Sequence, residues 1–440
     1  MRILLIDPPV AFLEGDGSTR FVQPLGLAYV GAALQGAGHE VRFLLPDVRP
    51  YFGDDPWGEI AGAVQAEAPD IIGLTAVTSS YPSAQHTAQA ARQAAPDALI
   101  VLGGVHASTL PAQALAGAPE IDVVVSGEGE GPMVELAAGR PPWEVPAVWV
   151  RDPDTGHPTS PAGPGPPVDD LDALHWPLRT GLVWGGEDSE AHAPAHHVLR
   201  EALITVRGCP YKCIYCAVPG LDNRRTRYRS ATGVADEIEA LKERWDVRYL
   251  FFHDSVFTLH RQRTLDLCTA LATRGLQTPF TCQTRADRID KELATALAAA
   301  GCARIFLGIE SGDERSLKKM RKATPLSQIT QAVPTIQAAG IACSGYFMVG
   351  FPWEDATSLT TTADFATSLN LDSLSLFSAT PLPGTELWRL AADHTRTPTH
   401  TRTTAPDFRL PQVNLTSMPD ATYAATYEGI RQRFERYNAE

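Results

Sequence analysis

The sequence predicts an α/β protein in two parts: an N-terminal doubly wound, Rossmann-like parallel sheet, followed by a partial (β/α)6 barrel of the TIM type. Three observations predict it. Short apolar runs alternate with helical patterns over residues 1–140, and again from about residue 200 onward. A proline- and glycine-rich stretch separates the two series. Runs such as Ile71-Ile-Gly-Leu74 and Val123-Val-Val125 are continuously apolar, as strands covered on both faces must be.

In the first part, residues 1–140, Arg2–Asp7 reads as a strand and Leu25–Gly36 as a helix, with Gly36 and Gly38 at its end. Val41–Leu45 is a strand, Trp57–Glu67 a helix, Asp70–Thr75 a strand and Pro82–Ala95 a helix. Ala98–Leu102 and Ile121–Val125 complete the strands. Residues 141–198 read as a linker. The stretch 141–177, with its run Pro161-Ala-Gly-Pro-Gly-Pro-Pro167, is too rich in proline for a regular element.

The second series occupies residues 199–393. Its expected strands are Ala202–Val206, Arg248–Phe252, Phe280–Gln283, Arg304–Leu307, Gly345–Val349 and Ser373–Leu376. Its expected helices lie at 232–244, 260–273, 290–300, 325–339, 355–369 and 385–393. A full eight-unit barrel takes about 250 residues. Six units predict an open barrel with its site at the C-terminal ends of the strands. In the tail, 394–440, Thr395–Ala405 reads as irregular and Ala421–Asn438 as a helix that caps the barrel.

The composition is that of an ordinary globular chain, 44% hydrophobic and 20% charged. A net charge of −14 disfavours nucleic acid as a partner and is compatible with a cationic substrate. The first apolar run is cut short by Asp7, Pro8 and Pro9, so it reads as a buried strand and not as a signal peptide. No apolar stretch approaches the roughly 20 residues that span a bilayer. A cytoplasmic protein with no membrane partner is expected.

The seven cysteines are odd in number, so a disulfide framework is not expected. Three crowd into Arg207-Gly-Cys209-Pro-Tyr-Lys-Cys213-Ile-Tyr-Cys216, on the loop after the first expected barrel strand. Three thiolates at CxxxCxxC spacing suit a cluster that leaves one iron open. Electron-transfer clusters and structural zinc each take four ligands, and the next cysteine is as far off as Cys268. A zinc knuckle with a distant fourth ligand, or three unrelated buried thiols, is the competing reading. Cys268, Cys282, Cys302 and Cys343 read as core thiols, Cys282 being able to face the barrel interior.

At this loop the chain resembles the radical S-adenosylmethionine (SAM) superfamily. Further segments fit in order: Phe251-Phe-His-Asp254, Cys282-Gln-Thr-Arg285, Gly308-Ile-Glu310-Ser311-Gly312 and Met348-Val-Gly350-Phe-Pro352, each at a strand end. The resemblance covers about 199–390. It implies a [4Fe–4S] cluster on Cys209, Cys213 and Cys216, with SAM chelating the open iron and cleaved to a 5′-deoxyadenosyl radical. It implies Tyr215 near the adenine, Asp254 as a second catalytic residue, and Arg285, Glu310, Ser311 and Gly350 as cofactor contacts. An external reductant such as flavodoxin or ferredoxin is implied as well.

The first part carries Gly73-Leu-Thr75-Ala-Val-Thr78, Gly103-Gly104-Val-His106-Ala-Ser108 and Ser126-Gly127-Glu128-Gly129 at its strand ends. Small residues there open the crevice in which parallel sheets bind ligands. The pattern resembles the cobalamin-binding domain that precedes many radical SAM domains. That likeness puts Gly103, Gly104 and Ser108 along the nucleotide-tail slot, and Thr75, Thr78, Gly127, Glu128 and Gly129 near the corrin ring. The DxHxxG motif that supplies a lower histidine ligand is missing: Asp7 is followed by Pro8, Pro9 at the histidine position, and Phe12 in place of glycine. His106 belongs to another loop.

These likenesses imply a cobalamin-dependent C-methyltransferase acting on a small molecule of secondary metabolism. An alternative is a radical SAM dehydratase or deoxygenase of an aminoglycoside-type sugar that uses no cobalamin. A reading of another class is a non-catalytic corrinoid or electron carrier. An RNA methylthiotransferase is set aside, because no cysteine precedes Cys209 and the chain is acidic.

Overall fold

The structure, a computed structural model, describes residues 1–9, 24–45, 55–181, 183–184, 187–188, 200–245, 247–393 and 408–440. Thr395–Ala405, Val10 and Phe12 lie outside the described residues. Two compact units emerge, one spanning Met1–Arg200 and one beginning at Glu201.

The first unit holds strands β1 (Arg2–Ile6), β2 (Glu40–Leu44), β3 (Ile71–Thr75), β4 (Leu99–Gly103), β5 (Val123–Val125), β6 (Val148–Arg151) and β7 (Pro158–Thr159). They form one sheet in the order β2-β1-β3-β4-β5-β6-β7. β1 to β5 are parallel, and β6 and β7 are antiparallel additions. Helices α1 (Leu25–Gly36), α2 (Pro56–Glu67), α3 (Tyr81–Ala94), α4 (Val105–Thr109), α5 (Pro111–Ala116) and α6 (Glu130–Ala137) connect them. Successive residues of β1 enter different cores: Leu4 and Ile6 pack among Ile60, Val64 and Ala88, while Ile3 and Leu5 pack among Leu27, Leu34 and Met133. That is why the strand reads as an unbroken apolar run.

The proline-rich stretch departs from expectation. Residues 141–177 supply β6 and β7, which extend the sheet past β5. Pro158 is tolerated because β7 is the edge. Arg151 anchors β6 by donating to the carbonyls of Ile121 at 2.6 Å, Leu115 at 2.7 Å and Ala118 at 2.9 Å. A further ribbon, β8 (Val183–Trp184) with β9 (Glu187–Asp188), follows.

The second unit holds β10 (Arg200–Leu203), β11 (Val206–Arg207), β12 (Arg227–Tyr228), β13 (Tyr249–Phe252), β14 (Phe280–Thr284), β15 (Cys302–Glu310), β16 (Ala342–Val349) and β17 (Ser373–Ser378). Its six-stranded sheet runs β10-β13-β14-β15-β16-β17, with β13 to β17 parallel; β10 and β17 are not neighbours, so the barrel is open. β11 and β12 form a separate antiparallel ribbon. The helices are α7 (Val218–Leu221), α8 (Ala231–Trp245), α9 (Arg261–Thr273), α10 (Lys291–Ala299), α11 (Glu314–Lys319), α12 (Leu326–Ala338), α13 (Ala356–Ser368), α14 (Glu386–Asp393) and α15 (Asp420–Ala439).

Alternate strand residues, among them Leu250, Phe252, Ile305, Leu307, Phe347 and Leu376, are buried against the helices. Cys282 belongs to this set at 1% exposure, so it faces the helices and not the barrel interior. The tail helix α15 seals the free edge of the sheet: the Asn438 side chain accepts from Leu374 N at 2.8 Å and donates to Leu374 O at 2.9 Å. Among the described residues no helix is long and apolar enough to cross a membrane.

Candidate functional site

The cysteine loop leaves β11 through Gly208. Its φ is +89°, and a Cβ there would stand 1.9 Å from Arg225 O, so no other residue fits before Cys209. Asp254 fixes the segment ahead of it. Its carboxylate accepts from Thr205 N at 2.6 Å, Val206 N at 2.9 Å and the Thr205 hydroxyl. Asp254 is 1% exposed, which corrects its expected place at the open mouth. It positions the loop. His253 beside it is exposed.

Two segments hold the loop from beyond. Ile214 N donates to Met320 O at 3.1 Å, and Leu387 N donates to Ile214 O at 2.9 Å. All three thiols are free, Cys209 being buried and Cys213 and Cys216 half-buried. Burial pushes Cys216 up to about 11, and the Cys213 and Cys209 thiols add to the shift; burial raises Cys209 too. Cys209 and Cys216 therefore hold their protons more tightly than an ordinary thiol, and metal binding has to displace them. Among the described residues no three His, Cys, Asp or Glu side chains converge on a single metal ion. A cubane does not require that, since each thiolate binds its own iron.

Beside the loop, the Arg285 guanidinium lies 3.8 Å from the centre of the Tyr211 ring. It is held by Asp287 at 2.8 and 3.1 Å, by Lys322 O at 2.7 Å and by the Thr324 hydroxyl at 2.7 Å. Its Nη1 is buried with no hydrogen-bond partner among the described residues. A buried donor left over is costly unless something completes it. With three free thiols nearby, the residues present fit a cluster with an anionic ligand on its open side.

The Gly308–Gly312 motif resolves into separate tasks. Glu310 ends β15 at φ +71° and accepts from Lys322 Nζ at 2.8 Å, both side chains being nearly buried. Tyr215 lies near Glu310, and burial together with that carboxylate raises its phenol well above the ordinary value. Gly308 leaves room for the pair, because a Cβ there would meet Lys322 Nζ at 2.7 Å. Ser311 is corrected: it is fully buried and pairs with the Thr362 hydroxyl of α13 at 3.0 Å, so it packs and does not face a cofactor. The space that Gly350 leaves is filled by Tyr423, whose hydroxyl would stand 2.2 Å from a Cβ. Sequence reasoning missed Lys322.

In the first unit, the order β2-β1-β3-β4-β5 puts the topological switch between β1 and β3, where ligands of open parallel sheets bind. Ser108 ties two strand-end loops together, its hydroxyl donating to Gly104 O at 2.8 Å and accepting from Gly127 N at 2.8 Å. Gly104 has φ +93° and a Cβ would clash with Ala76 O and Thr75 Oγ1, each at 2.7 Å. Its role is thus to let two loops approach each other. A Cβ on Gly127 would meet nothing within 4 Å, and one on Gly103 only Leu74 O at 3.9 Å. Val77 and Val105 stand exposed at the ends of β3 and β4, 43% and 37%. Apolar side chains left in water beside open glycines suit a large ring with an apolar face.

Two expected contacts are engaged elsewhere. Glu128 accepts from Val168 N at 2.6 Å, and a Cβ on Gly129 would press Val30 of α1 at 3.1 Å. Thr78 Oγ1 lies 3.3 Å from His106 Nδ1, and His106 is buried and stacked on Tyr81 at 4.2 Å. His106 is therefore part of the loop's packing, and Pro9 still occupies the motif's histidine position.

A family model described as B12 binding domain matches residues 18–137, and one described as Radical SAM superfamily matches residues 203–366. An uncharacterised methyltransferase from Pyrococcus horikoshii is 30% identical over 89% of this chain and 83% of its own length. An anaerobic magnesium-protoporphyrin IX monomethyl ester cyclase from Rubrivivax gelatinosus is 30% identical over 89% of this chain and 70% of its own. A solved radical S-adenosylmethionine methyltransferase from Kitasatospora setae, with tryptophan and a SAM analogue bound, has a TM-score of 0.76 at 21% identity, covering 90% of this chain and 77% of that one. At that identity the likeness is one of fold.

Proposed function

The chain belongs to the radical SAM superfamily, in the group that carries an N-terminal B12-binding domain, and from that premise we propose that it is a cobalamin-dependent methyltransferase acting on a small molecule. One observation carries the reading: three free thiols lie on one strand-end loop, and a buried guanidinium nitrogen with no hydrogen-bond partner, on Arg285 after β14, lies beside it.

Cys209, Cys213 and Cys216 hold the cluster, and Arg285 offers Nη1 to an anionic group of SAM. Glu310, fixed by Lys322, and the nearby Tyr215 form one wall. Asp254 and Gly208 shape the loop. In residues 1–140, Thr75, Gly103, Gly127 and Ser108 line the cobalamin slot, with Val77 and Val105 against the apolar ring. Pro9 stands at the motif's histidine position and His106 is packed on Tyr81, so the motif supplies no lower histidine ligand. When bound, the reduced cluster supplies the electron that splits SAM into a hydrogen-abstracting radical, and cobalamin supplies the carrier for a methyl group. An external flavodoxin or ferredoxin delivers the electron.

The test is anaerobic reconstitution with iron, sulfide and hydroxocobalamin, followed by incubation with SAM and reductant. About four irons per chain, a cobalamin spectrum without histidine ligation, and both 5′-deoxyadenosine and S-adenosylhomocysteine are expected. The triple variant Cys209→Ala, Cys213→Ala, Cys216→Ala should lose the cluster and the 5′-deoxyadenosine and keep cobalamin. 5′-Deoxyadenosine with no cobalamin uptake and no S-adenosylhomocysteine would remove methyl transfer from the reading.

A further inference from the structure

The strand residues that do not pack on helices form the concave face of the open barrel, and they fall into layers. Burial alternates along most of β15, β16 and β17, fully buried residues facing the helices and half-buried ones facing inward, with the buried Ser344 and Glu310 as inward exceptions. The layer nearest the strand starts is polar. Arg304 donates from Nη1 to Ser344 Oγ at 2.5 Å and to Ser373 Oγ at 3.4 Å, and these two hydroxyls are 2.7 Å apart. Beside them Tyr249 OH and Thr281 Oγ1 share a hydrogen bond of 2.6 Å.

The next layer is aromatic. Phe306 and Tyr346 stack with ring centres 5.0 Å apart and planes 10° apart, and Phe377 meets Tyr346 edge-on at 5.6 Å. None of these three rings belongs to the core beneath the helices, so their inward faces remain for a ligand. Above them lies the wall of Glu310 and Lys322.

The charge of this face is opposite to that of the chain. Arg304 is half-buried and, among the described residues, has hydroxyl partners and no carboxylate. Burial raises the Tyr346 phenol, and the charge of the nearby Arg409 offsets part of that rise. On β13 to β17 no inward position below Glu310 is acidic, and Glu310 is already neutralised by Lys322. A polycationic sugar finds no counter-charge here. A guanidinium satisfied by hydroxyls on one nitrogen keeps two others for an anion.

We propose that the concave face takes a planar aromatic substrate bearing a carboxylate or similar anionic group, the ring lying on the Phe306–Tyr346 layer and the anion on Arg304. This rests on the reading of the second unit as a radical SAM barrel, which brings such a ring beneath the cysteine loop.

The test uses the reconstituted holoenzyme and equilibrium dialysis with three probes: 2-naphthoate, 2-naphthylmethylamine and cyclohexanecarboxylate. 2-Naphthoate should bind about tenfold or more tighter than either of the others. Arg304→Gln should weaken 2-naphthoate about ten- to a hundredfold and leave the amine unchanged. Phe306→Leu with Tyr346→Leu should bring 2-naphthoate down to the level of cyclohexanecarboxylate. Cluster absorbance and circular dichroism report whether each variant has folded, and the three-probe ranking on the wild type needs no variant at all. Tighter binding of the amine, equal binding of the two carboxylates, or an unaffected folded Arg304→Gln variant overturns the proposal. SAM cleavage and cobalamin uptake are read without probes, so their success beside a failed ranking rejects the substrate class alone.

Discussion

Lys322 and Glu310 show how a single residue that no motif announces can hold a site together. The two are nearly buried and 2.8 Å apart. Lys322 reaches Glu310 because its neighbours Arg321 and Ala323 both adopt left-handed backbone, at φ +55° and +54°. Neither is glycine or asparagine, so the turn leaves no local signal in the sequence. The three cysteines of the loop were legible as a set because they fall within eight positions, and all three are free thiols. Asp254 was legible as a strand-end residue, but not its partners: its buried carboxylate is taken up by Thr205 and Val206, some fifty residues earlier in the chain. Removing one partner of a buried pair costs about 3–5 kcal/mol, while removing both is far milder. Lys322→Met should therefore destabilise by about that amount in urea melts, and Glu310→Gln with Lys322→Met should recover most of the loss. Strictly additive costs would show that the two do not act as a pair.

At the scale of elements, the strands and helices under both sheets were readable because each carries a clean period against a core. β6 and β7 were not, since their prolines mark an edge as readily as a linker. The other sheet's edge is handled differently. Asn438 presents one acceptor and one donor to the backbone of Leu374, copying what a neighbouring strand would offer. Asn438→Leu keeps the size and removes both bonds, leaving a nearly buried N–H and C=O unpaired. The expected loss is about 1–3 kcal/mol, measured by urea denaturation, with iron content unchanged. A neutral result would mean that water satisfies Leu374 instead.

For the molecule as a whole, two compact units mean that each ligand should leave its own footprint. Hydroxocobalamin should slow amide hydrogen exchange at residues 75–81, 103–108 and 126–130, and SAM at residues 209–217 and 308–324. Protection by hydroxocobalamin that spared all three loops of the first unit would remove them from the slot. The net charge of −14 describes the outer surface and was a poor guide to the interior of the barrel, where Arg304 and the neutral layers set the character. The Asn438 clamp has one more consequence, which concerns time. It lies 64 residues after the strand it covers. At about 5–20 residues per second of synthesis, β17 waits roughly 3–13 s for its cover. Through that interval a row of unpaired backbone groups stands open to any nascent strand beside it, so slow translation after residue 378 is the moment at which this chain is most exposed to mispairing.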